Sequence, residues 1–183
     1  WKPHVPVRAY IEMRDDDGFW AARRVMAFSD DDIRVAVGAG EYSDPRASEL
    51  LARVPGRRRD RIGRHYLPRI NPVVEPALDA AGGLTFGNAA VDHRVATPPR
   101  AYTATWHVFD NATRASTRLA ETSGATTWLP APAALPTAVG TFVRVDIAAS
   151  HDEHPSWRTP VETYFLRQAS GWKLVGLVRQ PGA

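Results

Sequence analysis

The hydrophobic period of this chain changes once, and that change restricts it to a mixed fold of helices and strands. Up to about residue 80, apolar side chains recur three and four positions apart, the spacing of one helix face. From about residue 82 they alternate with polar ones, the spacing of one sheet face. The two patterns cannot share one kind of element, because a helix-period stretch laid out as a strand scatters its apolar residues over both faces. The chain therefore divides into a helical segment over 1–81 and a β domain over 82–183.

The helical part carries its own punctuation. Asp15-Asp16-Asp17-Gly18 is an acidic helix entry, followed by Phe19, Ala22, Val25 and Met26 at helical spacing. Ser29, with Asp32 three positions on, forms a capping box for a helix whose apolar face is Ile33, Ala36 and Val37. Ser43-Asp44-Pro45 places a capping side chain before a proline at the first helical position. Ala47, Leu50, Leu51 and Val54 then keep the i, i+3, i+4, i+7 pattern of one helix face, and these N-terminal helices are the ones expected to leave apolar surface bare. Pro55-Gly56 is expected to break or sharply kink this helix, leaving a further turn or two over 57–66.

In the β part, Tyr102, Ala104, Trp106 and Val108 alternate with Thr103, Thr105, His107 and Phe109, and Asp110 to Thr113 turns the chain. Ser116 to Glu121 and Ala125 to Leu129 are further strands, and Val143, Val145 and Ile147 alternate with Arg144 and Asp146. Val161 to Arg167 and Trp172 to Arg179 make a closing hairpin. With Leu84 to Phe86, these give about seven short strands. The class is α+β: the helical segment followed by an antiparallel, immunoglobulin-like β-sandwich. A cone-shaped α+β barrel of the nuclear-transport-factor type is the competing architecture. It needs a helix between its early strands, and 86–101 shows none.

Composition excludes some chemistry. Among 183 residues there is no cysteine, so disulfides, thiolate nucleophiles and cysteine-ligated metals are ruled out. No apolar run approaches the ~20 residues of a membrane span. The 21 Arg, 2 Lys and 28 Ala match the codon usage of a GC-rich bacterial genome. The chain opens on Trp1 rather than Met, which reads as a processed product or an excised piece. Residues 1–45 hold 6 basic and 9 acidic side chains, whereas 46–69 hold 8 arginines against Glu49 and Asp60. On a helix from residue 57, Arg57, Arg61 and Arg64 share a stripe with Arg58 beside it, a candidate anion-binding surface. No aromatics interleave with them as in nucleic-acid modules, and a solvated face pairing with the acidic first 45 residues is the plainer reading. Arg59 lies on the Ile62 and Tyr66 side and is expected to pair internally.

Other constellations are weaker. The triplets Asp15–Asp17 and Asp30–Asp32 suit helix starts better than a cation, since they lack alternating ligand spacing. His151-Asp152-Glu153-His154 has two histidines three apart, but Pro155 follows at once, so a hairpin loop is favoured over a metal site. No metal or cofactor is expected, and no nucleophile elbow or phosphate loop occurs. In the cone-barrel reading a curved sheet would turn His107, Asp146 and Tyr164 into a pocket for a small molecule or a hydrolytic reaction. Trp128 and Trp157 flank proline-containing loops and are candidate aromatic contacts.

Five blocks carry a resemblance: residues Phe19 to Phe28, Tyr42 to Pro45, Arg58 to Arg64, Trp106 to Asn111 and Gly171 to Leu177. Together they resemble the C-terminal portion of a family of large, uncharacterised, exported bacterial proteins. The resemblance implies an extracytoplasmic setting and a larger upstream region of kinase-like character. Pro55-Gly56 departs from it, standing where a continuous helix is expected. The expected function is a non-catalytic accessory module that docks on the rest of its own polypeptide or on a protein partner.

Overall fold

The computed structural model describes residues 7–79 and 83–180. Its helices are α1 (Arg8–Ile11), α2 (Asp15–Met26), α3 (Asp30–Gly38), α4 (Pro45–Tyr66) and α5 (Ala89–Asp92). Its strands are β1 (Val73–Leu78), β2 (Gly83–Asn88), β3 (Ala101–Phe109), β4 (Ser116–Gly124), β5 (Trp128–Pro130), β6 (Phe142–Ser150), β7 (Val161–Gln168) and β8 (Gly171–Arg179). The protein is α+β, with helices first and two antiparallel sheets after them. One sheet has the order β1-β2-β5 and the other β4-β3-β6-β7-β8.

The expected helix starts are present. Ser29 accepts from the Asp32 N–H at 3.0 Å while Asp32 accepts from the Ser29 N–H at 2.8 Å, closing the capping box of α3. Asp44 caps α4 by accepting from the Arg46 N–H at 2.9 Å, with Pro45 first in the helix. Asp15 to Asp17 fill the first turn of α2, where carboxylates meet the positive end of the helix dipole.

Four features go beyond or against what the sequence suggests. First, α4 runs unbroken through Pro55. A proline costs one backbone hydrogen bond and a steric clash, and the flanking turns outweigh that loss. Second, the stripe of Leu50, Leu51 and Val54 is uncovered: these residues are 50%, 40% and 39% exposed. Likewise, no residue of α3 is buried. Third, Val73–Leu78, in the part read as helical, is a strand paired with β2. The division expected at 81/82 falls in the connection between these two strands, and residues 80–82 lie outside the described ones. Fourth, a helix does occur within 86–101, so the ground for setting aside the cone-shaped barrel does not hold. Asn88 accepts from the N–H groups of Ala90 and Val91, both at 3.1 Å, and caps the single turn of α5.

One hydrophobic core joins the two parts. Trp106, Val143, Val145, Ile147, Val161 and Phe165 of the large sheet are fully buried together with Leu84 and Leu129 of the small one. Phe19 and Ala22 of α2, with Leu67 and Ile70 beyond α4, belong to the same cluster. At the sheet margins β1 lies against β8 and β5 against β4. Buried Asn71 ties the helix exit to the large sheet. Its Nδ2 donates to the carbonyls of Ile147 at 2.9 Å and Thr159 at 3.0 Å, and its Oδ1 accepts from the Val73 N–H at 3.2 Å. α2 packs on the C-terminal half of α4 and α3 on its other half, so α3 and the start of α4 stand away from the core.

Candidate functional site

Two surfaces collect the residues singled out above. The first is α4. Ser48, Glu49, Ala52, Arg53, Gly56, Arg57 and Asp60 turn toward α3 and line a cleft of about 550 Å³ between the helices. At 100° per residue, Leu50, Leu51, Val54, Arg58 and Arg61 come out on the opposite side, with Arg64 at its margin. All four candidate arginines, Arg57, Arg58, Arg61 and Arg64, are exposed. Among the described residues none of the four is in an ion pair. The basic segment meets the acidic N-terminal part through two other arginines. Arg59 bonds Asp30 at 2.8 Å, Asp60 at 2.7 Å and the Phe28 carbonyl at 2.8 Å, while Arg69 lies 2.9 Å from Asp15. The internal pairing expected of Arg59 is therefore present. The outward side of α4 is apolar in its first half and cationic in its second.

The second surface is the outer face of the large sheet. Its side chains are fixed by strand register. His107 on β3 stands opposite Arg144 on β6, which stands opposite Tyr164 on β7. Next along, Thr105, Asp146 and Glu162 form a parallel row. Alternation sends Trp106, Val145 and Thr163 to the core, so these polar neighbours point the other way. His107 Nε2 lies 3.3 Å from Asp146 Oδ2, and Arg144 Nη2 donates to that same oxygen at 2.8 Å. Tyr164 turns instead to Glu162, donating its hydroxyl proton to Oε2 at 2.8 Å. His107, Asp146 and Tyr164 thus share one sheet face, but only the first two are in contact.

A depression of about 450 Å³ opens above Thr103, Thr105, His107 and Asp146, with Arg118 and Arg158 among its other walls. Burial pushes the His107 imidazole below its ordinary value. The Asp146 carboxylate opposes this shift, while Arg144 and Arg118 add to it. Burial raises the Tyr164 phenol, and the Glu162 carboxylate raises it further. Sequence reasoning missed Arg144 and Thr105 as members of this face. Their signal was present, since each occupies the polar phase of an alternating strand, but pairing across strands is invisible in one dimension. Arg158 arrives from the β6–β7 connection, where periodicity says nothing.

The other candidates separate. Trp157 is not an exposed contact: it is fully buried, and its indole N–H donates to the Pro68 carbonyl at 2.9 Å. Trp128 is 51% exposed on β5. The His151 and His154 rings are tilted against each other with centroids 4.6 Å apart, and Trp157 lies beside both, stacked on His154. His151 Nδ1 accepts from the Glu153 N–H at 3.1 Å, so its Nε2 proton goes to the Thr97 carbonyl at 3.1 Å and no lone pair is left over. Burial lowers the His154 imidazole below its ordinary value, and the neighbouring His151 adds to that shift. Among the described residues no helix is long and apolar enough to cross a membrane. Comparison with family models, with curated proteins and with solved structures found no match.

Proposed function

We propose that this chain is an interaction module, an immunoglobulin-like sandwich holding out a helical arm for a polypeptide partner. Strand order supports the sandwich. The sheet β1-β2-β5 has the order of strands A, B and E, and β4-β3-β6-β7 has the order C′, C, F and G, with β8 added beyond G. A buried tryptophan on strand C marks such domains, and Trp106 on β3 is fully buried.

One observation carries the functional reading. The outward side of α4 exposes Leu50, Leu51 and Val54 before Arg58 and Arg61. Helices owe most of their stability to packing an apolar face, and α3 with the first half of α4 buries little of its own. Covering three such half-exposed side chains contributes roughly 1 kcal/mol each. The partner that fits presents apolar anchors followed by acidic residues, because the arginines carry charge without carboxylates of their own. By the resemblance noted above, that partner is the rest of its own polypeptide or a second exported bacterial protein.

A photoactivatable residue at position 51, introduced in the cells that make the protein, tests the reading. It is expected to give one defined adduct, reduced about tenfold when Arg58 and Arg61 become Glu, the weight of ~1.4 kcal/mol. The same group at Thr126, away from the arm, is expected to give none. Equal adducts from both positions, or none from position 51, would end the proposal.

A further inference from the structure

Strand β8 ends the large sheet with one edge unpaired. It bonds to β7 alone, and among the described residues no backbone group of Gly171–Arg179 makes a backbone hydrogen bond outside that ladder. A free edge is a template for another strand, and proteins blunt it with charge, proline or short length. The opposite edge, β4, is blunted by Arg118 and Glu121. β8 has nine residues, no proline, and Lys173 as its one charge before Arg179. Leu174, Val175, Leu177 and Val178 are exposed along it.

Register decides what fits this edge. Against β7 the pairing shifts between Gly176, opposite Tyr164, and Leu174, opposite Phe165, so Val175 is the extra residue of a bulge. Leu177 and Leu174 stand opposite Thr163 and Phe165, both buried on the core side. Val178 and Lys173 stand opposite Glu162 and Leu166, on the outer side. Two copies of one strand related by a two-fold axis pair antiparallel, and residues opposed across the pair share a face. In a regular strand, an axis between two residues would set core-facing side chains against outer-facing ones. The bulge at Val175 removes that conflict. With the axis between Val175 and Gly176, Leu174 meets Leu177 of the second copy on the core side, and Lys173 meets Val178 on the outer side. No like charges are opposed. Glu162 is the next residue beyond Val178 in that row, about 10 Å from Lys173 between backbones and within reach of its long side chain.

We infer that β8 pairs with β8 of a second copy of this chain, about a two-fold axis between Val175 and Gly176, joining the two large sheets into one. The contact is separate from the helical arm and does not depend on it. It is small, so the dimer is reversible, with a dissociation constant on the order of micromolar.

Sedimentation equilibrium of the whole chain, from micromolar to millimolar concentration, is expected to show monomer and dimer in exchange. Val178→Lys sets lysine against Lys173 twice, once on each side of the axis, and is expected to weaken the dimer about tenfold. Adding Lys173→Glu to that variant is expected to restore it. The chain has no cysteine, so a cross-link reports the register directly. Lys173→Cys together with Val178→Cys is expected to give a disulfide-linked dimer under mild oxidation, because opposed Cα atoms lie roughly 4.5–5.5 Å apart. The same two positions are about 17 Å apart along one strand, too far to bridge within a copy. Lys173→Cys alone is expected to give no linked dimer. A monomer throughout the concentration range would overturn the inference. So would a dimer indifferent to Val178→Lys, or equal cross-linking by the single cysteine. If Val178→Lys does not fold, the cysteine pair decides.

Discussion

The guanidinium of Arg179, on the last strand, lies over the ring of Phe19 in α2, its central carbon 4.3 Å from the ring centroid. The same side chain donates to the carbonyls of Asn71 and Val73, the second at 2.6 Å. Burial brings its pKa down to about 10, so it remains charged at neutral pH. One residue therefore fastens helix, connector and sheet. Arg179→Ala is expected to destabilise the protein by about 3 kcal/mol, the scale for losing charge-assisted hydrogen bonds at buried carbonyls. Arg179→Lys is expected to recover less than half of that, since one ammonium lacks the fork. Urea unfolding of the three proteins measures both.

Two glycines allow α2 and α4 to approach, and their substitutions should differ. A methyl group on Gly18 would fall inside the Tyr66 ring, whereas one on Gly63 would meet the flexible end of Met26. The alanine gain in helix propensity is at most ~1 kcal/mol at either site. Gly18→Ala is expected to lose about 2 kcal/mol, because the ring must be displaced. Gly63→Ala is expected to be near neutral. Thermal melts of the two variants separate the cases, and equal losses would contradict the difference in give between Tyr66 and Met26.

The histidines set an acid limit. His107, facing Asp146, Arg144 and Arg118, and His154, facing His151 and Glu153, both sit below the ordinary value of 6.5. The unfolded chain then binds more protons than the folded one as the medium is acidified, so stability rises with pH in that window. Their contribution is complete above the unfolded value and is lost as pH falls through the lower folded values. Urea unfolding at pH 7.5 is therefore expected to give a higher midpoint than at pH 5.5. His154→Gln is expected to flatten that difference.

Pro55 gives a prediction of the opposite sign. It is exposed within a continuous helix and deprives the Leu51 carbonyl of its usual donor. Pro55→Ala is expected to stabilise the protein by about 1–3 kcal/mol and to raise helical circular dichroism. A loss of stability would show that the proline relieves strain between α3 and α4.

How far the sequence could be read depends on whether each signal was local. The capping box of Ser29 and Asp32 and the Asp44-Pro45 start are local chemistry, and both appear as read. So do the alternating strands β3 and β6 and the β7–β8 hairpin, because period two survives wherever one face is buried. β1 was illegible for a physical reason. Its register shifts between Val74 and Ala77, Glu75 there adopts a φ of 51°, and Pro76 follows, so the alternation is interrupted where it would have been recognised. The α4 stripe was legible only in part. Apolar spacing reports which residues share a face, and only tertiary structure reports whether that face is covered. His107 and Asp146 could be named from the sequence, but their contact needed the pairing of β3 with β6.

The hydrogen bond from the Trp157 indole to the Pro68 carbonyl has a mechanical meaning. It joins the point where the long helix leaves its axis to the turn that carries Arg158. An arm loaded at its far end cannot pivot at that root without breaking a buried bond and lifting a fully enclosed indole. The root of the helix and the connection between β6 and β7 are therefore fastened together, and tilting one against the other costs that bond.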